Sequence, residues 1–142
     1  MPTSTDKPVV TESTLAAFSD AWNAHDVEAL MTFMTPDCVF ETAGGNEAYG
    51  ARHVGTEAVA KAFAGAWLAV PDAQWRNGRH HVMGDFGTSQ WLFTGTAADG
   101  TRIEVEGIDV FTFRDGLIHS KNVYRKARPN LPALSGVASS SR

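Results

Sequence analysis

The rhythm of the chain changes at Pro71. Before it, apolar residues recur at spacings of three and four: Leu15, Phe18 and Trp22 in "TESTLAAFSDAWNAH" (11–25), and Val59, Ala60, Phe63, Ala64 and Trp67 after Gly55–Thr56. That spacing places each set on one stripe of a helix. After Pro71 come four β-rich runs, "AQWRNGRHHVM", "TSQWLFTGTA", "TRIEVEGIDVFTF" and "LIHSKNVYRKA", separated by "GDFG", "ADG" and "RDG". Short glycine-containing turns between such runs predict antiparallel hairpins. Helices followed by a meander predict an α+β domain, with three N-terminal helices packed on one face of a strongly curved antiparallel sheet and a pocket between them. Gly78, Gly95 and Gly107, inside the strands, are candidate bend or bulge points.

Between helices one and three, Asp26 is placed to cap a second helix, "VEALMTFM", with Val27, Leu30, Met31 and Met34 inward and Pro36 ending it. "CVFET" reads as a short strand and "AGGNEAYGARHVG" as a long glycine-rich loop that could carry Tyr49 to a cavity rim. Residues 1–8 read as a flexible arm, 9–127 as the domain, and 128–142, "RPNLPALSGVASSSR", as a disordered tail.

At 142 residues and 43% hydrophobic, the chain can bury one core and a small cavity. A net charge of −4 without a basic stripe argues against a nucleic-acid partner. No run of eighteen apolar residues is present to span a membrane, and "MPTSTDKPVV" lacks the layout of a secretory signal. The single cysteine, Cys38, permits no internal disulfide, fits a reducing cytoplasm, and beside Val39 and Phe40 reads as a small buried hydrophobe.

The stretch "VEGIDVFTFRDGLI" (105–118) carries the most chemistry. Alternate residues of a strand share a face, so Val105, Gly107, Asp109, Phe111 and Phe113 form one row, with Glu104 and Glu106 on the other face. A carboxylate on an apolar row must be paired or take up a proton. Either it is a structural aspartate, or its proton is exchangeable near neutrality and available for acid/base work. Gly107 two residues away would leave room for a ligand. What faces Asp109 depends on the hairpin. A two-residue Asp115–Gly116 turn sets it opposite Asn122, whereas a three-residue bulged loop sets it opposite Lys121, and the two choices flip the last strand's faces.

His80 and His81 are strand neighbours, so one points inward, and an imidazole is a natural proton-transfer partner for a carboxylate. No H-x-x-x-H or CxxC spacing occurs, so no metal site is expected. No phosphate-cradling glycine motif is present either, so no nucleotide cofactor is expected. Trp22, Phe40, Phe63 and Trp67 are core residues or cavity walls. Trp91 and Phe93 alternate with Leu92, which makes both sides of their strand partly apolar. An apolar outer face predicts a second subunit covering the sheet, as a homodimer.

Three phrases, "AFSDAWNAHDVEALMTFMTPDCVFE", "VGTEAVAKAF" and "TGTAADGTRIEVEGIDVFTFRDGLI", resemble the nuclear transport factor 2-like superfamily, and within it the SnoaL-like and ketosteroid isomerase-like proteins. The resemblance spans roughly residues 14–126 and implies a cone-shaped α+β barrel. It matches Asp109 to the oxyanion-hole acid of ketosteroid isomerases, a carboxylic acid held neutral by apolar surroundings, and to the acid/base aspartate of SnoaL-like cyclases. It sets Thr42 where the isomerases carry their proton-shuttling aspartate, with Glu41 on the opposite face, and Phe18 where they carry a tyrosine. It also puts His81 on the inner row with Trp75, Asn77 and Arg79.

Two functions follow as expectations. One is a cofactor-independent acid/base enzyme of isomerase, cyclase or lyase type, acting on a small apolar carbonyl or hydroxyl compound. Asp109 and His81 would be its catalytic residues, and Trp22, Phe40, Thr42, Phe63, Trp75, Asn77, Lys121 and Asn122 its substrate contacts. The other is a non-catalytic module of the same fold that binds a small molecule.

Overall fold

The computed structural model describes residues 8–134; the sequence expectations for 1–7 and 135–142 lie outside the described residues. Three helices, α1 (Glu12–Asn23), α2 (Val27–Met31) and α3 (Thr56–Ala69), accompany six strands. The strands are β1 (Met34–Glu41), β2 (Arg52–Val54), β3 (Gln74–Met83), β4 (Phe86–Thr96), β5 (Arg102–Arg114) and β6 (Leu117–Arg125). They form one curved sheet in the order β2-β1-β6-β5-β4-β3. The cone-shaped α+β plan is as expected, with one correction: β1 pairs β6 in parallel, while the other neighbours are antiparallel.

Local chemistry explains the helix ends. Thr11 and Thr14 exchange side-chain-to-backbone hydrogen bonds at the start of α1, and Asp26 Oδ1 accepts from the Ala29 amide at 3.0 Å to start α2. Contrary to expectation, α2 stops at Met31, well before Pro36. Pro36 lies inside β1, where the register slips between the Met34↔Ile118 and Val39↔Ser120 pairs. A residue without an amide N–H is tolerated at such an irregularity, and it biases Thr35 before it toward extended backbone. The glycine-rich loop also contains β2, a three-residue strand that sequence periodicity did not reveal.

The core lies between the helices and the concave face. Leu15, Phe18 and Trp22 of α1, Leu30 of α2, and Val59 and Phe63 of α3 meet Phe40, Phe111, Phe113 and Ile118 of the sheet. Burying each such side chain contributes about 1.5–3 kcal/mol. Cys38 is fully buried, and burial pushes its thiol pKa up, as suits a core residue.

Strand β3 is a sheet edge, and α1 covers it. The Asn23 amide accepts from Trp75 N–H at 2.7 Å and donates to Trp75 O at 2.9 Å, while Glu12 Oε2 accepts from Val82 N–H at 3.0 Å. These side chains satisfy edge groups that would otherwise invite strand addition. Residues 128–134, expected as tail, run beside β5: Leu131 bridges Arg102 in both directions, and Arg128 donates to Glu104 O at 2.8 Å.

Candidate functional site

Two bulges decide what faces the interior. The β5–β6 turn is the two-residue Asp115–Gly116 kind, with both residues at positive φ and Arg114 opposite Leu117. His119 is then an extra residue in β6, since Phe113 pairs Ile118 but Thr112 pairs Ser120. Asp109 therefore lies opposite Val123, not Lys121 or Asn122. Lys121, opposite Phe111, shares Asp109's face, whereas Asn122 faces outward and donates to the Tyr124 hydroxyl at 3.1 Å.

The second bulge lies in β3. Arg76 pairs Leu92 but Arg79 pairs Gln90, so one residue is inserted at Asn77–Gly78, with Asn77 at φ 59°. An inserted residue reverses the alternation beyond it. His80, opposite Ser89, is thereby the inward histidine, with Nδ1 2.7 Å from Ser89 Oγ. His81 is exposed on the convex face and Asn77 is exposed at the bulge, so neither belongs to the site the resemblance gave them. Burial lowers the pKa of His80, opposed in part by the charges of Asp109 and Asp20.

Asp109 is on the concave wall as expected, 7% exposed, and Lys121 is 5% exposed. The Lys121 ammonium lies 3.2 Å from Asp109 Oδ1, and Trp91 Nε1–H donates to Oδ2 at 3.1 Å. The lysine's approach is ionic rather than directional, because Oδ1 has no hydrogen bond among the described residues. Lys121 Nζ also lies 4.8 Å from the Phe40 ring centre and 4.9 Å from that of Trp22. Burial lowers the pKa of Lys121, and the Asp109 charge opposes that shift. A carboxylate, an ammonium and an indole N–H thus converge in an aromatic setting, where charges interact more strongly than in water.

Gly107 serves a purpose different from the one expected. A Cβ there would collide with the far edge of the Trp91 indole, its cross-strand partner. The space beside Asp109 belongs to that tryptophan, not to a ligand.

Two hollows meet this pair. One, of about 20 Å³, is bounded by Asp109, Lys121, Ser19, Ser89 and the rings of Trp22 and Trp75, with room for a single water-sized group. The other, of about 350 Å³, opens outward between α3 and the sheet; Trp22, Phe40, Thr42, Trp75, Lys121 and Arg125 line it, but Asp109 does not. Trp22, Trp75, Trp91 and Lys121 border both. Phe63, fully buried, supports Trp22 and Phe40 from behind, with ring centres 4.8 and 4.9 Å away. Thr42 is at the rim, its hydroxyl donating to Gly44 O at 2.7 Å, and Glu41 faces away to pair with Arg52 at 2.6 Å. His80, Ser89 and Arg125 were missed as site residues. A bulge hid the first, and nothing in the strand pattern singled out the other two. Among the described residues no group of three or more His, Cys, Asp or Glu could hold a metal ion, and no helix is long and apolar enough to cross a membrane.

Comparison with known proteins agrees with this architecture. A candidate polyketide cyclase from Xanthomonas campestris pv. campestris superposes with a TM-score of 0.69 at 21% identity, covering 78% of this chain and 85% of that one. A nuclear transport factor 2-like protein of unknown function from Mesorhizobium loti gives 0.65 at 29% identity, covering 80% and 88%. TerC, co-crystallised with polyporic acid, gives 0.68 at 18% identity, covering 79% and 88%. No curated protein matches the sequence. The family model for the SnoaL-like domain matches residues 15–120, and the chain belongs to that family, within the nuclear transport factor 2-like superfamily.

Proposed function

We propose that the protein is an acid/base enzyme of isomerase, cyclase or lyase type acting on a small apolar carbonyl or hydroxyl compound, with Lys121 and Asp109 as its proton-handling pair. One observation carries the reading: a buried ammonium, 3.2 Å from a buried carboxylate, lines an aromatic cavity of about 350 Å³. A ligand oxygen in that cavity meets Lys121 first. The ammonium polarises it, and Asp109, fixed by Trp91 and outside that cavity's wall, balances the charge and takes or returns the proton through one water in the small hollow it shares with Lys121. His80, behind Ser89, is a positioning residue rather than the partner expected of His81. Among the solved structures of this fold are candidate polyketide cyclases, which supports the same class of chemistry.

Hydrogen–deuterium exchange tests this without knowledge of the natural substrate. Wild-type protein in D₂O is expected to accelerate loss of the α-proton NMR signal of 2-tetralone, and Asp109→Asn and Lys121→Met to slow it by about 10²-fold or more. Exchange by wild type no faster than by Lys121→Met would remove the enzyme reading. A second reading, a non-catalytic binding module, is favoured by the absence of Asp109 from the larger cavity wall. It predicts binding of the ketone without exchange.

On the convex face, Leu92, Ile108 and Val110 are only partly covered and Tyr124 is 57% exposed. We infer a homodimer through this face, to be checked by light scattering, and placement in the reducing cytoplasm from the buried lone Cys38.

A further inference from the structure

We infer that the larger cavity selects an apolar organic anion, a ring-bearing carboxylate or ionised enol, and that Arg125 is the residue that selects it; this deepens the proposed function by naming the ligand class of the same site. The wall of the cavity holds two cationic side chains, Lys121 and Arg125, and no carboxylate, although the whole chain carries a net charge of −4. The two cations differ in their circumstances. Asp109 neutralises Lys121 at 3.2 Å, whereas among the described residues Arg125 has no carboxylate within ion-pair distance. Glu106, the nearest acid in register, is on the convex face of β5, beyond Gly107, which pairs Arg125.

Arg125 is exposed, and its guanidinium rests against one aromatic ring. Its carbon lies 5.0 Å from the ring centre of Phe93, itself part of the cavity wall. A cation over an aromatic face is attracted to it, and the N–H groups not turned to the ring stay free for a planar anion. Arg125 follows Lys121 by four residues on the same strand face, so their Cα atoms are ~13 Å apart at ~3.3 Å per residue. A molecule of two fused rings spans the aromatic floor between them, with its anionic group on Arg125 and its opposite end at Lys121. A neutral analogue would bury the same rings but leave the arginine unanswered.

Three isosteric probes decide the matter: 2-naphthoate, 2-naphthylmethanol and 2-naphthylmethylamine, titrated at pH 7.5 by calorimetry and by quenching of cavity tryptophan fluorescence. The carboxylate is expected to bind about tenfold or more tighter than the alcohol, and the amine more weakly than either. Arg125→Gln, with circular dichroism confirming its fold, should erase the carboxylate's advantage while the alcohol's Kd stays within about twofold; Arg125→Lys should restore part of it. Equal binding of carboxylate and alcohol, an advantage that persists in Arg125→Gln, or no binding of any probe would each overturn the inference. The exchange experiment uses a neutral ketone and different variants, so either result can fail while the other stands.

Discussion

Trp91 lies across Gly107 of the adjacent strand, and only the missing side chain at 107 lets its indole reach Asp109 Oδ2 at 3.1 Å. Gly107→Ala should displace the ring, break that hydrogen bond and cost about 1–3 kcal/mol of stability as overpacking does. Urea denaturation measures the loss. An unchanged midpoint would mean that Trp91 has somewhere else to go.

The Lys121–Asp109 pair gives a second test. Lys121→Met leaves a buried carboxylate without its counter-charge, which costs about 3–5 kcal/mol. Adding Asp109→Leu removes the orphan charge, so the double variant should be more stable than Lys121→Met alone despite carrying one more change. The measurement is a double-mutant cycle by denaturant unfolding.

His80 ties stability to acid. Its pKa is lowered in the folded protein by burial, so between the folded value and the ordinary value of 6.5 the unfolded chain binds more protons. That contribution is complete above pH 6.5 and declines as pH falls through the folded pKa. Wild-type stability should drop from pH 7 toward pH 5, and His80→Gln should flatten that part of the curve. Parallel curves for the two proteins would count against it.

Asn23 is expected to matter for assembly as well as stability. Its amide makes two hydrogen bonds to the backbone of Trp75 at the β3 edge. Asn23→Ala should cost about 1–3 kcal/mol through the orphaned backbone groups and increase aggregation on heating, read by turbidity during a thermal ramp.

Much of this was legible from residue order. Alternation along 103–113 identified the wall that carries Asp109, because β5 pairs β4 over eleven residues without a slip. Helical spacing gave Leu15, Phe18 and Trp22, all buried. What failed was parity. The insertion at Asn77–Gly78 turned His80 inward instead of His81, and the extra His119 undid both hairpin registers considered for Asp109. A bulge is set by three-dimensional pairing, and a glycine in a strand marks where one could be without saying whether it is there. Pro36 misled for a similar reason, since four residues of β1, 35–38, stand against His119 alone in β6, and a residue without an amide N–H is tolerated in such an irregularity. Arg125 could not be distinguished from any other surface arginine until Phe93 and the cavity wall were in place.

The Asn77–Gly78 insertion has an evolutionary corollary. Losing one residue there would leave Trp75 opposite Phe93 and His80 opposite Ser89, because pairing with β4 sets the faces on both sides of the insertion, and only the sequence spacing between those groups would change. Within this scaffold, gain or loss of a single codon in an edge strand alters spacing while the same groups keep facing the interior, and sequence comparisons that penalise gaps heavily would misalign those groups on one side of it.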